Sequence, residues 1–576
     1  MKNLLVLTSS LLLCFSAFAA KPFITQWNTA NPGASCSSCV KISLSHCFEY
    51  DFDVDWDNDG KWDDLHVTED ITHDYGKPGI YTIAIRGDFG GIYFASIDKS
   101  KDPEKIIDIV QWGDIEWGSQ QGSAFSGCKN LKISAKDVPD LRDVSCMMSF
   151  FKHCEVLNAD LSKWNVSGIC DMRYMFFGAK KFNQPLSSWD VSSVTKMAWM
   201  FSRAIEFNQP IGNWNVSKVE DMTGMFSSAV AFNQPIGDWS VINVTNMRSM
   251  FAAATSFNQD LSYWNVIGVT NMERMFASAD SYDHPLNNWD VRNVTTMNRM
   301  FSHADNFNQP LSKWDVSNVT DMRWMFANTD FFNQALGMWD VSNVTNMESM
   351  FKSAEVFNRS INSWDVSAVE DMHDMFFFAR RFNQPLDNWN VSNVENMLSM
   401  FYRATAFNQS LEKWSFNVNV ELPRLLDGCG MDCQSYSSTL IGWAENDFTP
   451  ANMEIGVEKL LYGTKGAEAR TFLIEEKGWT FWRDAESQDE LCNQRKATIE
   501  EEDKNTIVLY PNPAATELFV YGFEEANYTI YDAHGKVRMR GNMTAGIVDL
   551  SELPTGIYFI SVSNTETHYK GSFLKN

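Results

Sequence analysis

Asp55, Asp57 and Asp59 stand at alternate positions in YDFDVDWDNDGKWDD, directly before Gly60, and Asp63 follows. Carboxylates two apart ahead of a glycine turn are how a calcium loop begins, because a hard cation collects several oxygen ligands from one short bend. The twelfth position is His66 rather than a glutamate, so the pattern is not an EF-hand. These four aspartates are the candidate calcium ligands, and the competing reading is an acidic turn in a β-sandwich. Cys36 and Cys39 make a single CSSC with no second pair and no histidine at ligand spacing, which reads as a disulfide or a free pair rather than zinc. HExxH, GxSxG and a phosphate-cradling glycine loop are all missing, and the 9 histidines are scattered from His46 to His568. Two carboxylates meeting in space would still permit glycoside chemistry. The chain nevertheless reads as a non-enzyme, with calcium as its one candidate cofactor.

These groups sit on a chain dominated by repetition. Tryptophans recur every 25 residues from Trp164 to Trp414 without a slip, marking eleven coils. Phe182, Phe207 and Phe232 repeat in phase with them, as do Met172, Met197 and Met222 and the small residues Ala179, Ala204 and Ala229. Such a period belongs to stacked architectures, in which one coil cannot bury its apolar face alone. Val194, Met197, Met200, Phe201 and Ala204 fall on one face of a helix, and Ser217 with Glu220, Ser367 with Glu370 and Ser392 with Glu395 resemble capping boxes. FNQPLSSW is too short and too broken by proline for a helix, which predicts an extended segment and a turn. The asparagine column through Asn183, Asn208 and Asn233 should satisfy turn backbone and its own neighbours. The Asn-Val-Ser/Thr sequons, such as Asn243 and Asn318, recur because the repeat recurs.

With the methionines inward, the varying residues between them form an outward stripe. Tyr174, Trp199, Arg248, Arg274, Arg299, Arg323, Trp324 and His373 are its candidate ligand contacts, since aromatic residues and arginine are enriched where interfaces bind most tightly.

The motif FNQPLSxWDVSNVTxMxxMFxxA, the lead-in IVQWGDIEW with AFSGCKNL, and the closing CQSYSSTLIGWAEN resemble BspA-like leucine-rich repeat surface proteins. The resemblance covers roughly residues 21 to 486 and implies a secreted or surface protein, sometimes adhesive, with no shared catalytic residue. The fold class expected is an α+β repeat solenoid, leucine-rich-repeat-like with 25-residue coils, flanked by an N-terminal and a C-terminal β-sandwich. ITHDYGKPGIYTIAIRGDF is similar to the last strands of a polycystic-kidney-disease-type β-sandwich. At the other end YPNP, IYDAHGK and LPTGIYFI look like the C-terminal sorting domain of the type 9 secretion system, which implies outer-membrane export in Bacteroidetes-type bacteria.

The domain limits expected are a signal peptide at 1–20, a β-sandwich at 21–100, and coils with their lead-in at 101–427. A cap at 428–486, a charged linker at 487–505 and the sorting domain at 506–576 complete the chain. Residues 1–20 have an early lysine, an apolar run and small residues at Ala17, Ala19 and Ala20, as a secretory signal does. A formal charge of -26 disfavours nucleic acid and anionic membrane. No later apolar run reaches the length of a spanning helix. The partners expected are extracellular protein or polysaccharide and the type 9 machinery, and the location is secreted or on the outer cell surface.

Overall fold

The computed structural model describes residues 20–94, 100–489, 492, 509–510, 517–520, 525–532, 536–544, 546–563 and 568–575. The expected signal peptide up to residue 19, Cys14 within it, most of the charged linker, and residues 511–513 and 533–535 of the YPNP and IYDAHGK motifs lie outside them. Two compact units, Met1–Gln259 and Asp260–Asn576, are described in turn.

The first unit opens with β1 (Phe23–Asn28), β2 (Cys39–Ile42), β3 (Asp51–Asp55), β4 (Asp64–Val67), β5 (Ile71–Asp74), β6 (Ile80–Asp88), β7 (Ile106–Gln111) and β8 (Lys132–Ile133). Six of them pair in the order β4-β3-β6-β1-β7-β8, and β2 pairs with β5. Along β1, Phe23, Thr25 and Trp27 are buried and alternate with half-buried residues, as a strand with one core face requires. The sheet does not end at residue 100: β7 pairs with β1, and β8 comes from the lead-in to the coils. Cys36 and Cys39 are joined in a disulfide.

The coils are not helical. Peptide N–H groups of Met172, Tyr174, Phe176 and Gly178 donate to the carbonyls of Lys196, Ala198, Met200 and Ser202 in the next coil. The intervening N–H groups of Met175, Phe177 and Ala179 donate instead to the carbonyls three residues back. What alternates these directions is a positive φ twice per coil, at Tyr174 (58°) and Gly178 (70°) and again at Trp199 (60°) and Arg203 (58°). An L-residue in this left-handed region costs roughly 1–2 kcal/mol, and the hydrogen bonds to the next coil hold it there. Two Asx turns complete a coil, with Asn215 Oδ1 accepting from the Ser217 N–H and Asp221 Oδ1 from the Thr223 N–H. Ser217 is thus a turn residue and not a helix cap.

Side chains reinforce this ladder. Trp214 Nε1 donates to the Leu186 carbonyl of the preceding coil at 3.0 Å, and Phe201 stacks on Phe226 at 5.8 Å. Asn208 N–H and Gln209 Nε2 both donate to Asn183 Oδ1. The sequon Asn243 donates through Nδ2 to the Ser217 carbonyl, so a glycan there would cost that bond.

The second unit repeats the same coil: Met347, Ser349, Phe351 and Ser353 N–H groups donate to Asp371, His373, Met375 and Phe377 carbonyls. Its closing segment holds α1 (Cys433–Glu445), β9 (Glu454–Gly456), β10 (Leu461–Tyr462), α2 (Thr464–Glu475), β11 (Thr480–Trp482) and β12 (Ala485–Glu486). Helix α1 takes over two ladders at once. Its N-cap Asp432 bonds Asn408, and its Trp443 donates Nε1 to the Leu411 carbonyl at 3.0 Å. Gly456 and Glu458 carbonyls accept the last coil's N–H groups from Leu426 and Gly428. Cys433 and Cys492 form a disulfide across this segment. Finally β13 (Leu509–Tyr510), β14 (Glu517–Val520), β15 (Glu525–Asp532), β16 (Val537–Thr544), β17 (Ile547–Asp549), β18 (Gly556–Ser563) and β19 (His568–Lys575) form one antiparallel sheet. Their order is β13-β14-β17-β16-β15-β18-β19.

The expected α+β repeat solenoid with a helix per coil is therefore corrected. Among the described residues only α1 and α2 are α-helices, both lie after the coils, and the class is mostly β. The C-terminal strands likewise join in one seven-stranded sheet rather than two. The apolar spacing that fits a helical face fits a turn-built coil equally, and the backbone bonds to the next coil decide between them.

Far-ultraviolet circular dichroism should accordingly show a β-dominated spectrum with only a shallow helical trough, from helices of 13 and 12 residues. Trp314→Phe keeps an aromatic ring but removes the Nε1 bond to the Leu286 carbonyl. Leaving that buried acceptor unmade should cost about 1–3 kcal/mol, read as faster hydrogen exchange in the two coils concerned. Unchanged exchange would show that the tryptophan rung does not hold them together.

Candidate functional site

The acidic loop joins β3 to β4 and bends through Asn58 (φ 57°) and Gly60 (φ 89°), a bend the glycine makes without strain. Asp55 ends β3 fully buried, and its two oxygens accept from the N–H groups of Asp59 (3.2 Å) and Gly60 (2.8 Å). Asp63 Oδ2 accepts from the Trp56 N–H at 2.9 Å. One carboxylate oxygen from each of Asp55, Asp57 and Asp63 lies within 4.8 Å of the others, an all-oxygen donor set of the kind a hard cation takes. Asp59 is not in this group. Its side chain pairs with Lys61 Nζ at 2.7 Å, and that hydrogen bond holds its carboxyl below the usual range.

The stripe resolves into two adjacent columns. Tyr174, Trp199, Arg274, Arg299 and Trp324 share one, all with φ between 56° and 60°, whereas Arg248, Arg323 and His373 each stand one residue earlier in their coils. In the first unit the Tyr174 and Trp199 rings lie parallel with centroids 6.5 Å apart. The next coil presents Gly224 to Trp199, where a Cβ would come within 2.3 Å of the indole. Lys152 Nζ sits 5.2 Å from the Tyr174 ring, and the Arg203 guanidinium 5.6 Å from the Phe177 ring. Arg248 is exposed.

In the second unit the stripe closes into a connected patch. The Arg299 guanidinium and Lys352 Nζ both lie 5.0 Å from the Trp324 ring. Trp324 Nε1 donates to Glu348 Oε1 at 2.8 Å, and that oxygen is 3.3 Å from His373 Nε2. The other ring nitrogen of His373 is 2.9 Å from Asp371 Oδ1, and Lys352 pairs with Asp374 at 2.6 Å. Arg323 grips Asp321 with two hydrogen bonds, while exposed Arg274 meets Glu273 only at 4.0 Å.

A bond to Asp371 raises the His373 pKa, outweighing partial burial. Burial would raise the Asp371 carboxyl, yet the hydrogen bonds from His373 hold it below the usual range. Glu348, Asp371 and His373 are close enough to ligate a metal, but both imidazole nitrogens face carboxylates, an arrangement suited to a protonated ring. The patch presents cations, carboxylates and ring edges, with its tryptophan faces occupied by neighbouring coils. Lys152, Phe177, Arg203 and Lys352 were not in the predicted stripe. Their signal was available in columns that hold small residues in other coils and bulky or charged ones here.

The family described as "Mycoplasma protein of unknown function, DUF285" matches residues 120–239, 225–339 and 322–437, which together span more than half of the chain. A second family, "Secretion system C-terminal sorting domain", matches residues 508–576. No curated protein matches the chain. Among the described residues no helix is long and apolar enough to cross a membrane.

Titration with calcium should raise the melting temperature of the N-terminal sheet by a few degrees through binding to the folded state alone. Asp57→Ala should abolish the rise and Asp59→Ala should keep it; a melt indifferent to calcium would leave the loop an acidic turn. For His373, folding raises the pKa above its free value of about 6.5. The stabilisation it gives is complete below that value and is lost as pH rises through the raised one. Amide exchange around Glu348 to Asn396 should therefore quicken, beyond its intrinsic pH dependence, as the pH rises above about 6.5. His373→Gln should erase that step.

Proposed function

The chain belongs to the family described as "Mycoplasma protein of unknown function, DUF285", and we propose that it serves as a non-enzymatic cell-surface protein binding extracellular protein or polysaccharide along its coils. The C-terminal sorting domain supports export to the cell surface and fits the type 9 secretion machinery. The observation that carries the binding reading is the joining of Arg299, Trp324, Glu348, His373 and Lys352 from successive coils into one outer patch. A core that repeats almost without change needs no such variety outside it, and Trp and Arg are the types that anchor interfaces. The resemblance to BspA-like surface proteins rests on the same repeat. Calcium at Asp55, Asp57 and Asp63 would in this reading stiffen the N-terminal sheet rather than take part in a reaction. The hydrogen bonding between coils favours a second reading, a structural envelope component whose coils provide length and stiffness.

The purified full chain should bind at least one member of a panel of extracellular-matrix proteins, bacterial surface extracts and polysaccharides. A variant carrying Arg299→Ala and Trp324→Ala should bind it at least about tenfold more weakly. Binding untouched by those changes would remove the patch as the contact, and silence from a well-folded chain would favour the envelope role.

A further inference from the structure

We infer that the groove between the last coil and the closing segment is a binding site for a neutral saccharide, with Trp482 as its stacking surface. This deepens the reading of the chain as a surface binder and rests on it. Arg424 and Asp427 line the groove from the coil, Glu454 and Glu458 from β9 and just beyond, and Trp482 and Arg483 from the end of β11. Its volume is about 440 Å³, in the range of small-molecule sites. Gly456, paired with Trp482 across the β9–β11 ladder, lies so close to the Arg424 backbone that a Cβ would come within 2.3 Å of it. That close approach makes the floor.

Trp482 is the one exposed tryptophan among the described residues, at 51%. The coil tryptophans are buried at 5% exposure or less, and the stripe tryptophans Trp199 and Trp324 have neighbours against their rings. An uncovered indole face matches the C–H face of a pyranose ring, which is apolar on one side and edged with hydroxyls.

Those hydroxyls both donate and accept, and the groove supplies both kinds of partner. Arg424 Nε is 3.8 Å from Asp427, and Arg483 is 3.4 Å from Glu458, so each guanidinium is loosely balanced and still half exposed or more. Arg424 is further held 4.3 Å over the Tyr402 ring. Two guanidinium groups set among three carboxylates favour neither a polyanion nor a polycation. A neutral polyol meets no like charge there, and the loose pairs leave donors and acceptors for it to bridge.

The test is an array of immobilised neutral oligosaccharides of glucose, mannose, galactose and N-acetylglucosamine, probed with the purified full chain. Saturable binding to at least one is expected, weakened about tenfold or more by Trp482→Ala and less by Trp482→Phe. Glu458→Gln should also weaken it, with melting temperatures little changed because Trp482 is exposed and the half-buried Glu458 is replaced by a side chain of the same shape. A folded chain that binds nothing on the array, or binding that survives Trp482→Ala, overturns the site. The Arg299→Ala, Trp324→Ala variant should bind the array like the parent, so that loss of patch binding and loss of groove binding are told apart.

Discussion

Every second peptide N–H along the outer arc of a coil must find its carbonyl in the next coil. That requirement governs the repeat. Each buried amide left without a partner costs about 1–3 kcal/mol and the cost recurs along the arc, so the arc must arrive in register each time. One inserted residue would shift every donor by a position and strand it. The 25-residue spacing without a slip from Trp164 to Trp414 is the sequence record of this condition. The left-handed residues follow from it too, because they turn successive amides alternately inward and along the stack.

Once the backbone is fixed in this way, side chains divide by direction. Inward positions are tied to copies of themselves: tryptophan to a carbonyl 28 residues back, phenylalanine to phenylalanine, asparagine to the amide of its successor. Stripe positions differ from coil to coil, and the bonds they make, such as that of Trp324 to Glu348, differ with them. The contrast between Ser349, completely buried beside Trp324 in its column, and exposed Arg274 in the same column shows how widely they do. The chemistry this surface presents is therefore a property of neighbouring coils read together, as Glu348 and His373 illustrate.

Much of this was legible in the sequence. Period, core columns and the asparagine bonds follow from residue type and spacing, whereas the closing segment was expected only from the resemblance. The helix did not, and the reason is geometric. Val194, Met197, Met200, Phe201 and Ala204 fall within one arc of a helical wheel, but they are also the inward corners of consecutive turns. The left-handed sites that distinguish the two are filled by Tyr174, Trp199 and Arg203 as well as glycine, so composition does not mark them. In the acidic loop, alternation alone made Asp59 a ligand, whereas Lys61 two residues on claims its carboxylate. The groove at Trp482 depends on strands β9 and β11 meeting, which no local pattern announces.

The closing helix reproduces, with the Asp432 N–H donating to Asn408 Oδ1 and Trp443 donating to the Leu411 carbonyl, the two rungs that another coil would have offered. Whatever the number of coils before it, the last one finds the same partners. Because the repeats are nearly alike and never slip phase, unequal crossing-over between two of them in the gene would add or remove 25 codons in frame. The protein could thus lengthen or shorten by whole coils in a single genetic event, with both ends intact and a newly assorted order of outward residues.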